Sequence, residues 1–310
     1  MPAVPVYDLA IHPREHDLLI ATHGRGILVL DDIRPLRSLT TEALTAPVHL
    51  FAGGAAVQAR QGQGAGSRTP GVSDFRGDNR PYGAVITYSL TSAGLPHPDE
   101  EIERARREDR RKSGKAESTG GAAEFGRDGR PKKPQAEIQI WDAAGKKIRT
   151  FEQDATLGVN RAIWDLRRDS FKKAARKRSD DFFPRRGPDV LPGTYKVKVT
   201  YGGKSAEGSV LVSPDPRVTY ADGAREANAA AIDELGALIE DTAKAIERVT
   251  RTKADLKLVL DRAKKREDDR KKLAGTSETS AEAKALEQEG KALREKIEKV
   301  ERALWISDDF

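Results

Sequence analysis

The stretch "ATHGRGILVLDD" (residues 21–32) decides how the N-terminal part of this chain folds. A glycine-rich loop can bind phosphate when it opens a helix, because the first turn of a helix has unpaired N–H groups. Here Gly26 is followed by "ILVLDD", an apolar run typical of a β-strand. We therefore predict two antiparallel strands joined by a glycine turn, with "VYDLAIH" (residues 6–12) as a third strand beside them.

The polar side chains of this stretch are the first candidates for chemistry. His23 and Arg25 are the candidate binding residues, and in a hairpin we expect both to hydrogen-bond across the turn. Asp31 and Asp32 are the candidate catalytic residues, because pairs of carboxylates hydrolyse glycosidic bonds. Adjacent residues on a strand face opposite sides of a sheet, so these two cannot flank one bond. Capping of the turn that follows is the favoured interpretation.

Three histidines, at positions 12, 16 and 23, raise the question of a metal site. His12 and His16 have the i, i+4 spacing that places two ligands on one face of a helix, but Pro13 and the strand pattern remove that helix. No third ligand follows from the pattern, so we predict neither a metal nor a cofactor. The chain has no cysteine, which excludes disulfides, thiol catalysis and cysteine-bound zinc.

Six further runs have the composition of β-strands and stand at short spacing. They are residues 84–90, 136–142, 146–152, 160–166, 193–201 and 206–213. In "TYKVKVTY", Tyr195, Val197 and Val199 alternate with polar residues, so they share one face of a strand. Such a set of strands predicts a small β-sandwich of immunoglobulin type. We place Trp141 and Trp164 in its core.

Three polar segments interrupt these strands, and we predict that they are disordered. They lie near residues 52–80, 91–135 and 167–187. Residues 91–135 hold eleven Lys or Arg and nine Asp or Glu, and we expect at most a transient helix there, across "DEEIERARREDRRK" (residues 99–112). Residues 167–186 hold nine basic and three acidic residues, with Phe171, Phe182 and Phe183 among them. Because mixed basic and aromatic side chains bind single-stranded polymers, this basic loop is a candidate site for an anionic polymer.

From residue 216 onward the pattern changes to helix. Apolar residues recur at alternating steps of three and four, which is the spacing of a coiled-coil seam. They include Ile232, Leu235, Ile239, Ile246, Leu256 and Leu260, then Leu286, Leu293, Ile297, Val300 and Leu304. Thr279 and Glu282 match a capping box at the start of the second helix. We predict an antiparallel helical hairpin whose first helix, of about 50 residues, is about 75 Å long.

The run "VYDLAIHPREHDLLIATHGRGILVLDDIRPLRSL" (residues 6–39) resembles the last blade of a bacterial BNR-type, sortilin-like β-propeller protein. Such proteins are often labelled glycosyl hydrolases. Downstream, "IQIWDAAGKKIRT" and "GPDVLPGTYKVKVTYGG" look like the immunoglobulin-like module that follows such propellers, and the helical tail is similar as well. The resemblance implies a mainly β chain with a helical tail. Its parts would be one blade of an incomplete propeller (1–47), an immunoglobulin-like sandwich (48–215) and a helical hairpin (216–310).

The resemblance also implies a function: a non-catalytic C-terminal fragment of an exported propeller protein that serves protein or glycan interaction. Its partners would be the missing propeller blades, another protein or a glycan, and nucleic acid is not expected. The parent family is extracellular or periplasmic. This chain itself shows no signal peptide and no apolar run long enough to span a membrane.

Two alternatives stay open. One is a glycoside hydrolase of the sialidase-like propeller family that uses Asp8, Asp31 or Asp32, although the aspartate box of such propellers does not occur here. The other is a binder of anionic polymer through the loop 167–186. The net charge of +6 permits an acidic partner, but among 34% charged residues this small excess does not establish one.

Overall fold

The structure is a computed structural model that describes residues 4–59, 80–113, 133–173 and 186–304. These residues form β-sheets followed by a C-terminal helical region, so a mainly β chain with a helical tail is confirmed at that level. The strands are β1 (Val6–Ile11), β2 (Leu18–Thr22), β3 (Ile27–Leu30), β4 (Val48–Leu50), β5 (Ala56–Val57), β6 (Ala84–Leu90), β7 (Gln135–Trp141), β8 (Lys147–Asp154), β9 (Gly158–Trp164), β10 (Gly193–Tyr201) and β11 (Lys204–Ser213). The helices are α1 (Arg34–Arg37), α2 (Thr41–Thr45), α3 (Glu100–Lys112), α4 (Ala224–Ala274) and α5 (Ala281–Leu304).

Contacts between residues divide the chain into two compact units. The first consists of Met1–Asp169 and Arg186–Asp222, and the second of Ser170–Arg185 and Gly223–Phe310. The first unit holds the strands, and the second holds the two long helices α4 and α5. Each unit is described by itself below.

The first three strands form an antiparallel sheet in the order β1-β2-β3, called the N-terminal sheet below. The turn between β2 and β3 closes where Thr22 donates two hydrogen bonds to the Gly26 carbonyl oxygen, from its N–H (3.1 Å) and its hydroxyl (2.7 Å). Gly24 and Gly26 both have a φ of 73°, in the left-handed region that glycine adopts without steric cost. The prediction of strand, glycine turn and strand is therefore confirmed.

Two further sheets share one hydrophobic core. Their strand orders are β5-β11-β10-β7-β8 and β4-β6-β9. Val197 of β10 is buried, as the alternating pattern requires, and Trp164 of β9 is only 1% exposed, with its ring centroid 5.2 Å from that of Tyr195. Trp141, predicted to lie in the core, is half-buried on the other side of β7, because Ile140 next to it already points inward.

Helix α3 lies inside the segment 91–135, for which the sequence favours disorder. The carboxylate of Asp99 caps the helix by accepting two hydrogen bonds from backbone N–H groups in its first turn. Glu103 is buried and accepts hydrogen bonds from Arg107 (3.1 Å) and Arg110 (2.9 Å). A buried carboxylate held by two arginines explains how so polar a segment forms a helix.

The other two segments for which disorder is predicted are also described in part. In 52–80, strand β5 pairs in parallel with β11, where Ala56 is opposite Val212. In 167–187, Arg167 forms an isolated bridge with Asp189. Three internal stretches lie outside the described residues, namely 60–79, 114–132 and 174–185.

Helices α4 and α5 pack against each other as an antiparallel hairpin. The contacting pairs include Lys253 with Glu301, Leu260 with Gly290 and Glu267 with Ser280. The capping box predicted at Thr279 and Glu282 is wrong, because Ser280 caps α5 and its hydroxyl accepts a hydrogen bond from the Ala283 N–H at 3.2 Å. The Thr279 hydroxyl accepts instead from the Lys271 ammonium at 2.8 Å.

The half of α4 that precedes its contact with α5 is covered in part by the start of the basic loop. The ring of Phe171 lies so close to Gly236 that a Cβ there would be 2.1 Å from it. Lys172 forms an ion pair with Glu247 at 2.8 Å. Among the helices that the structure describes, none is both long and apolar enough to cross a membrane.

Candidate functional site

The candidate binding residues His23 and Arg25 both lie exposed in the turn between β2 and β3. The expected hydrogen bonds across the turn are made by Thr22 instead. The His23 N–H donates to the Pro5 carbonyl oxygen (3.1 Å), and its ring lies 5.3 Å from that of Tyr7 on β1. His23 therefore helps to hold the beginning of β1 against the turn.

The candidate catalytic residues Asp31 and Asp32 follow the end of β3 and do not lie on the strand. Asp32 has a φ of 45°, so the chain leaves the strand direction at this residue. Its carboxylate accepts hydrogen bonds from the Arg34 side chain at Nε (2.6 Å) and at a terminal nitrogen (2.9 Å). It also accepts one from the Arg34 backbone N–H (3.2 Å), so it stabilises the start of helix α1.

The environment of Asp32 favours its ionised form. The residue is only 4% exposed, and burial alone would raise the pKa of its carboxyl group. The hydrogen bonds and the positive charge of Arg34 outweigh that effect, so the pKa is lowered from its ordinary value. A carboxylate that stays ionised and is held by a guanidinium is poorly suited to donate a proton to a leaving group.

The three N-terminal histidines have local roles. The Nδ1 atom of His12 accepts a hydrogen bond from the Glu15 N–H at 3.0 Å, and His16 has a left-handed φ of 60°. The third, His23, lies in the other turn. Within residues 4–59, 80–113, 133–173 and 186–304, no three His, Asp or Glu side chains are grouped as a metal site requires.

The surface of the N-terminal sheet is rich in apolar side chains. All six residues of β1 are exposed. The exposed fraction reaches 73% for Tyr7, 66% for Ile27, 59% for Leu9 and 58% for Val29. Single exposed apolar residues are normal, but a contiguous group of them marks an interaction site.

Both faces of the N-terminal sheet carry exposed apolar side chains. Leu9 is paired with Ile20, whereas Ile27 is paired with Ala21. Paired residues of antiparallel strands point to the same side and adjacent residues to opposite sides, so Leu9 and Ile27 lie on opposite faces. In the part of the chain that is described, β1 and β3 each pair with β2 alone, which leaves both edges of the sheet open. This sheet can therefore accept another sheet on either face.

The end of the N-terminal sheet is attached to the core sheets. The guanidinium of Arg161, on β9, donates hydrogen bonds to the backbone carbonyl oxygens of Asp31 (2.7 Å) and Asp32 (3.1 Å). The Ile33 N–H donates to the His16 carbonyl oxygen at 2.9 Å, which closes the same end of the sheet. The two aspartates thus join two parts of the fold through their backbone.

A second feature is a cavity of about 1050 Å³ in the first unit, of which the sequence indicated only the two ends of the basic loop, Arg167 and Arg186. Five arginines line it, and they are Arg14, Arg80, Arg167, Arg186 and Arg217. They come from five separate places in the chain, so no local motif could have revealed the whole group. Only the long-range pairing of strands brings them together.

Comparison with known proteins identifies no relative. No family model, no curated protein and no solved structure matches the chain. The likeness of residues 6–39 to a sortilin-like blade therefore stays a prediction, and function has to be inferred from the geometry of the described residues.

Proposed function

We propose that this chain is the non-catalytic C-terminal region of an exported, BNR-type and sortilin-like β-propeller protein. The N-terminal sheet would be the last propeller blade, and the two sheets with a shared core would be an immunoglobulin-like sandwich. The observation that carries the proposal is the apolar surface on both faces of the N-terminal sheet. In a propeller each blade packs its faces against the neighbouring blades, which requires apolar side chains on both sides.

The same geometry indicates the partner of this sheet. Leu9 on one face and Ile27 on the other need a sheet with apolar side chains of its own. Neighbouring blades have this chemistry, whether they belong to a longer polypeptide or to another protein. The sheet cannot bury both faces by itself, because three strands form one layer.

A role in catalysis has less support than a role in binding. The Asp32 carboxylate is held by Arg34, and the Asp31 carbonyl oxygen is held by Arg161. Asp8 is exposed, and its carboxylate accepts a hydrogen bond from the N–H of Leu9. The hydrolase alternative predicts that the purified chain cleaves a glycan and that Asp31→Asn or Asp32→Asn abolishes the cleavage.

The experiment that tests the proposal starts from the DNA upstream of Met1. We expect in-frame repeats that encode further blades, preceded by a signal sequence. The longer polypeptide and the present chain are then compared by amide hydrogen exchange. Exchange at Leu9 and Ile20 should be at least about tenfold slower in the longer polypeptide, because docked blades suppress local opening. Exchange at Val199, in the hydrophobic core shared by the other two sheets, should be the same in both polypeptides.

A variant separates docking from folding. Leu9→Lys combined with Ile27→Lys should change the stability of the present chain by no more than about 0.5 kcal/mol, because both side chains are exposed. In the longer polypeptide the same two substitutions should abolish the slower hydrogen exchange of the N-terminal sheet. The control is Leu211→Lys, an exposed apolar residue of β11, which should leave that protection intact. Equal exchange of the N-terminal sheet in both polypeptides would refute the proposal.

A further inference from the structure

The cavity lined by arginines has the size and composition of a binding site. Its volume of about 1050 Å³ lies just above the range of small-molecule sites, roughly 300–1,000 Å³, so it has room for a ligand of several rings. Its wall carries three carboxylates besides the five arginines, and they are Glu15, Asp165 and Asp215. The wall therefore has an excess of positive charge, and it presents acceptors as well as donors to a ligand.

The arginines keep donors available to a ligand. Arg217 binds the Asp215 carboxylate through two nitrogens (2.9 and 2.7 Å), and Arg167 contacts Asp189 at 3.1 Å. A guanidinium has five N–H groups, so one carboxylate partner does not use them all. Arg186 is exposed at the cavity wall. Planar guanidinium groups of this kind bind carboxylates in a bidentate manner.

Asp165 adds a different requirement. Its Oδ1 atom is inaccessible to solvent, so a ligand in the cavity can meet only the Oδ2 atom of this carboxylate. A carboxylate oxygen at a cavity wall accepts hydrogen bonds, so this position favours a ligand that supplies a hydroxyl group. The negative charge of Asp165 disfavours a compact anion such as phosphate, because the whole charge of that anion would lie next to the carboxylate.

The remaining wall is apolar. Tyr82, Val57 and Pro216 contribute side chains to it, and Tyr82 is half-buried. The flat faces of sugar rings pack well on such surfaces, while their hydroxyl groups need acceptors. A ligand that carries hydroxyl groups, apolar ring faces and carboxylates matches all three parts of the wall.

We infer that this cavity binds an acidic oligosaccharide built of hexuronate units. The sugar carboxylates pair with the arginines, and a sugar hydroxyl donates to Asp165. The inference goes beyond the proposed function, because the strands of the N-terminal sheet do not line the cavity, and only Arg14 and Glu15, between β1 and β2, come from that part of the chain. It holds or fails independently of whether that sheet docks to other blades.

The test is titration calorimetry of the full chain with tetragalacturonic acid and with its methyl ester. The ester has the same rings and hydroxyl groups but no charge. The acid should bind at least about tenfold more tightly than the ester, because charge-assisted hydrogen bonds to arginine are lost in the ester. Equal binding of the two, or no binding of the acid, overturns the inference.

Two exposed arginines give variants that do not threaten folding. Arg186→Gln and Arg80→Gln should each weaken binding of the acid about fivefold to tenfold, since each removes one cationic partner. The control is Arg104→Gln, the same change of charge on the exposed side of α3 outside the cavity. If Arg104→Gln weakens binding as much as Arg186→Gln, the attraction is a general effect of net charge and the inference is wrong.

Asp165→Asn separates a sugar from a simple anion. With a sugar bound, the loss of the negative acceptor should weaken binding of tetragalacturonic acid about threefold to tenfold. With inorganic phosphate as the probe, the same change should strengthen binding, because a repulsive charge is removed. A variant that binds both ligands more tightly would identify a simple anion site and overturn the assignment to an acidic sugar.

Discussion

Asp32 shows how one residue can look catalytic in a sequence and yet serve structure. Its φ of 45° is a conformation that Asp and Asn tolerate better than other non-glycine residues. Its carboxylate accepts three hydrogen bonds from Arg34, and its N–H donates to the Asp17 carboxylate at 2.9 Å. The residue therefore fixes the direction in which the chain leaves β3.

The first prediction concerns substitutions at Asp32. Asp32→Asn keeps the tolerance for this backbone conformation but loses the charge, and it should destabilise the region by about 1–2 kcal/mol. Asp32→Ala should cost about 1 kcal/mol more, because alanine resists a positive φ. Hydrogen exchange at the Leu36 and Arg37 amides, whose hydrogen bonds to Ile33 form the first turn of α1, measures both effects.

The same residue gives a pH dependence with a definite sign. Because the pKa of Asp32 in the folded chain lies below its ordinary value of 3.8, the ionised carboxylate stabilises the fold above that pH. This stabilisation is lost as the pH falls from 3.8 through the lower pKa of the folded state. The difference in the free energy of unfolding between the wild-type chain and Asp32→Asn should therefore shrink over that range of pH. A difference that stays constant would contradict the assignment.

The second prediction concerns Gly83, where β6 begins. A Cβ at this residue would lie 2.3 Å from the Trp164 carbonyl oxygen, and φ is 133°. Gly83→Ala should destabilise the chain by about 3 kcal/mol, from a backbone clash and an unfavourable φ together. Gly145→Ala is the matched control, since its φ is 76° but no atom lies within 4 Å, and it should cost about 1 kcal/mol. Urea unfolding followed by tryptophan fluorescence compares the two.

At the scale of elements, the start of α5 shows how one helix fixes the beginning of another. Glu267 on α4 accepts hydrogen bonds from the Ser280 N–H (2.8 Å) and hydroxyl (3.0 Å), and it is paired with Arg270. The bonds from Arg270, with those from Ser280, lower the pKa of Glu267 to about 2. A tertiary contact thus selects the residue at which α5 begins.

The third prediction follows from that contact. The ionised Glu267 stabilises the hairpin above its ordinary pKa of 4.5, and this contribution is lost as the pH falls from 4.5 to about 2. Glu267→Gln should lower the Tm of the helical signal at pH 7, and the difference from the wild-type chain should narrow toward pH 2. Circular dichroism at 222 nm measures it. The control Glu287→Gln removes an exposed pair with Lys291 and should change Tm little at either pH.

The same elements show why the sequence predicts the presence of α5 correctly but predicts the wrong capping residue at its start. Thr279 and Ser280 are both good capping residues, and the spacing to Glu282 favours Thr279. Two residues of α4 outside the capping motif contact these hydroxyl groups. Lys271 donates a hydrogen bond to the Thr279 hydroxyl, and Glu267 accepts one from the Ser280 hydroxyl, so that Ser280 is the residue that precedes α5. Local patterns predict that a helix begins here, whereas contacts with another helix decide between neighbouring residues.

At the scale of the whole molecule, periodicity predicted most strands and the two long helices, because burial imposes it on each element separately. It could not predict that β5 joins β11 in parallel, since this pairing links Ala56 to Val212 across most of the first unit. The same holds for the cavity, whose arginines range from Arg14 to Arg217. The sequence placed helix α3 at residues 99–112 only as a transient helix in a disordered segment, because its order depends on one buried carboxylate, Glu103.

The contact from Arg161 has a mechanical consequence. The N-terminal sheet is joined covalently to β4 through residues 33–47. Its end is also hydrogen-bonded to Arg161 of β9, through the backbone of Asp31 and Asp32. Strands β4 and β9 are the two outer strands of one sheet, with β6 between them. A load applied to the N-terminal sheet is therefore shared between opposite edges of that sheet. A single connection would leave the sheet free to rotate about it, so we expect the second connection, through Arg161, to restrict that rotation.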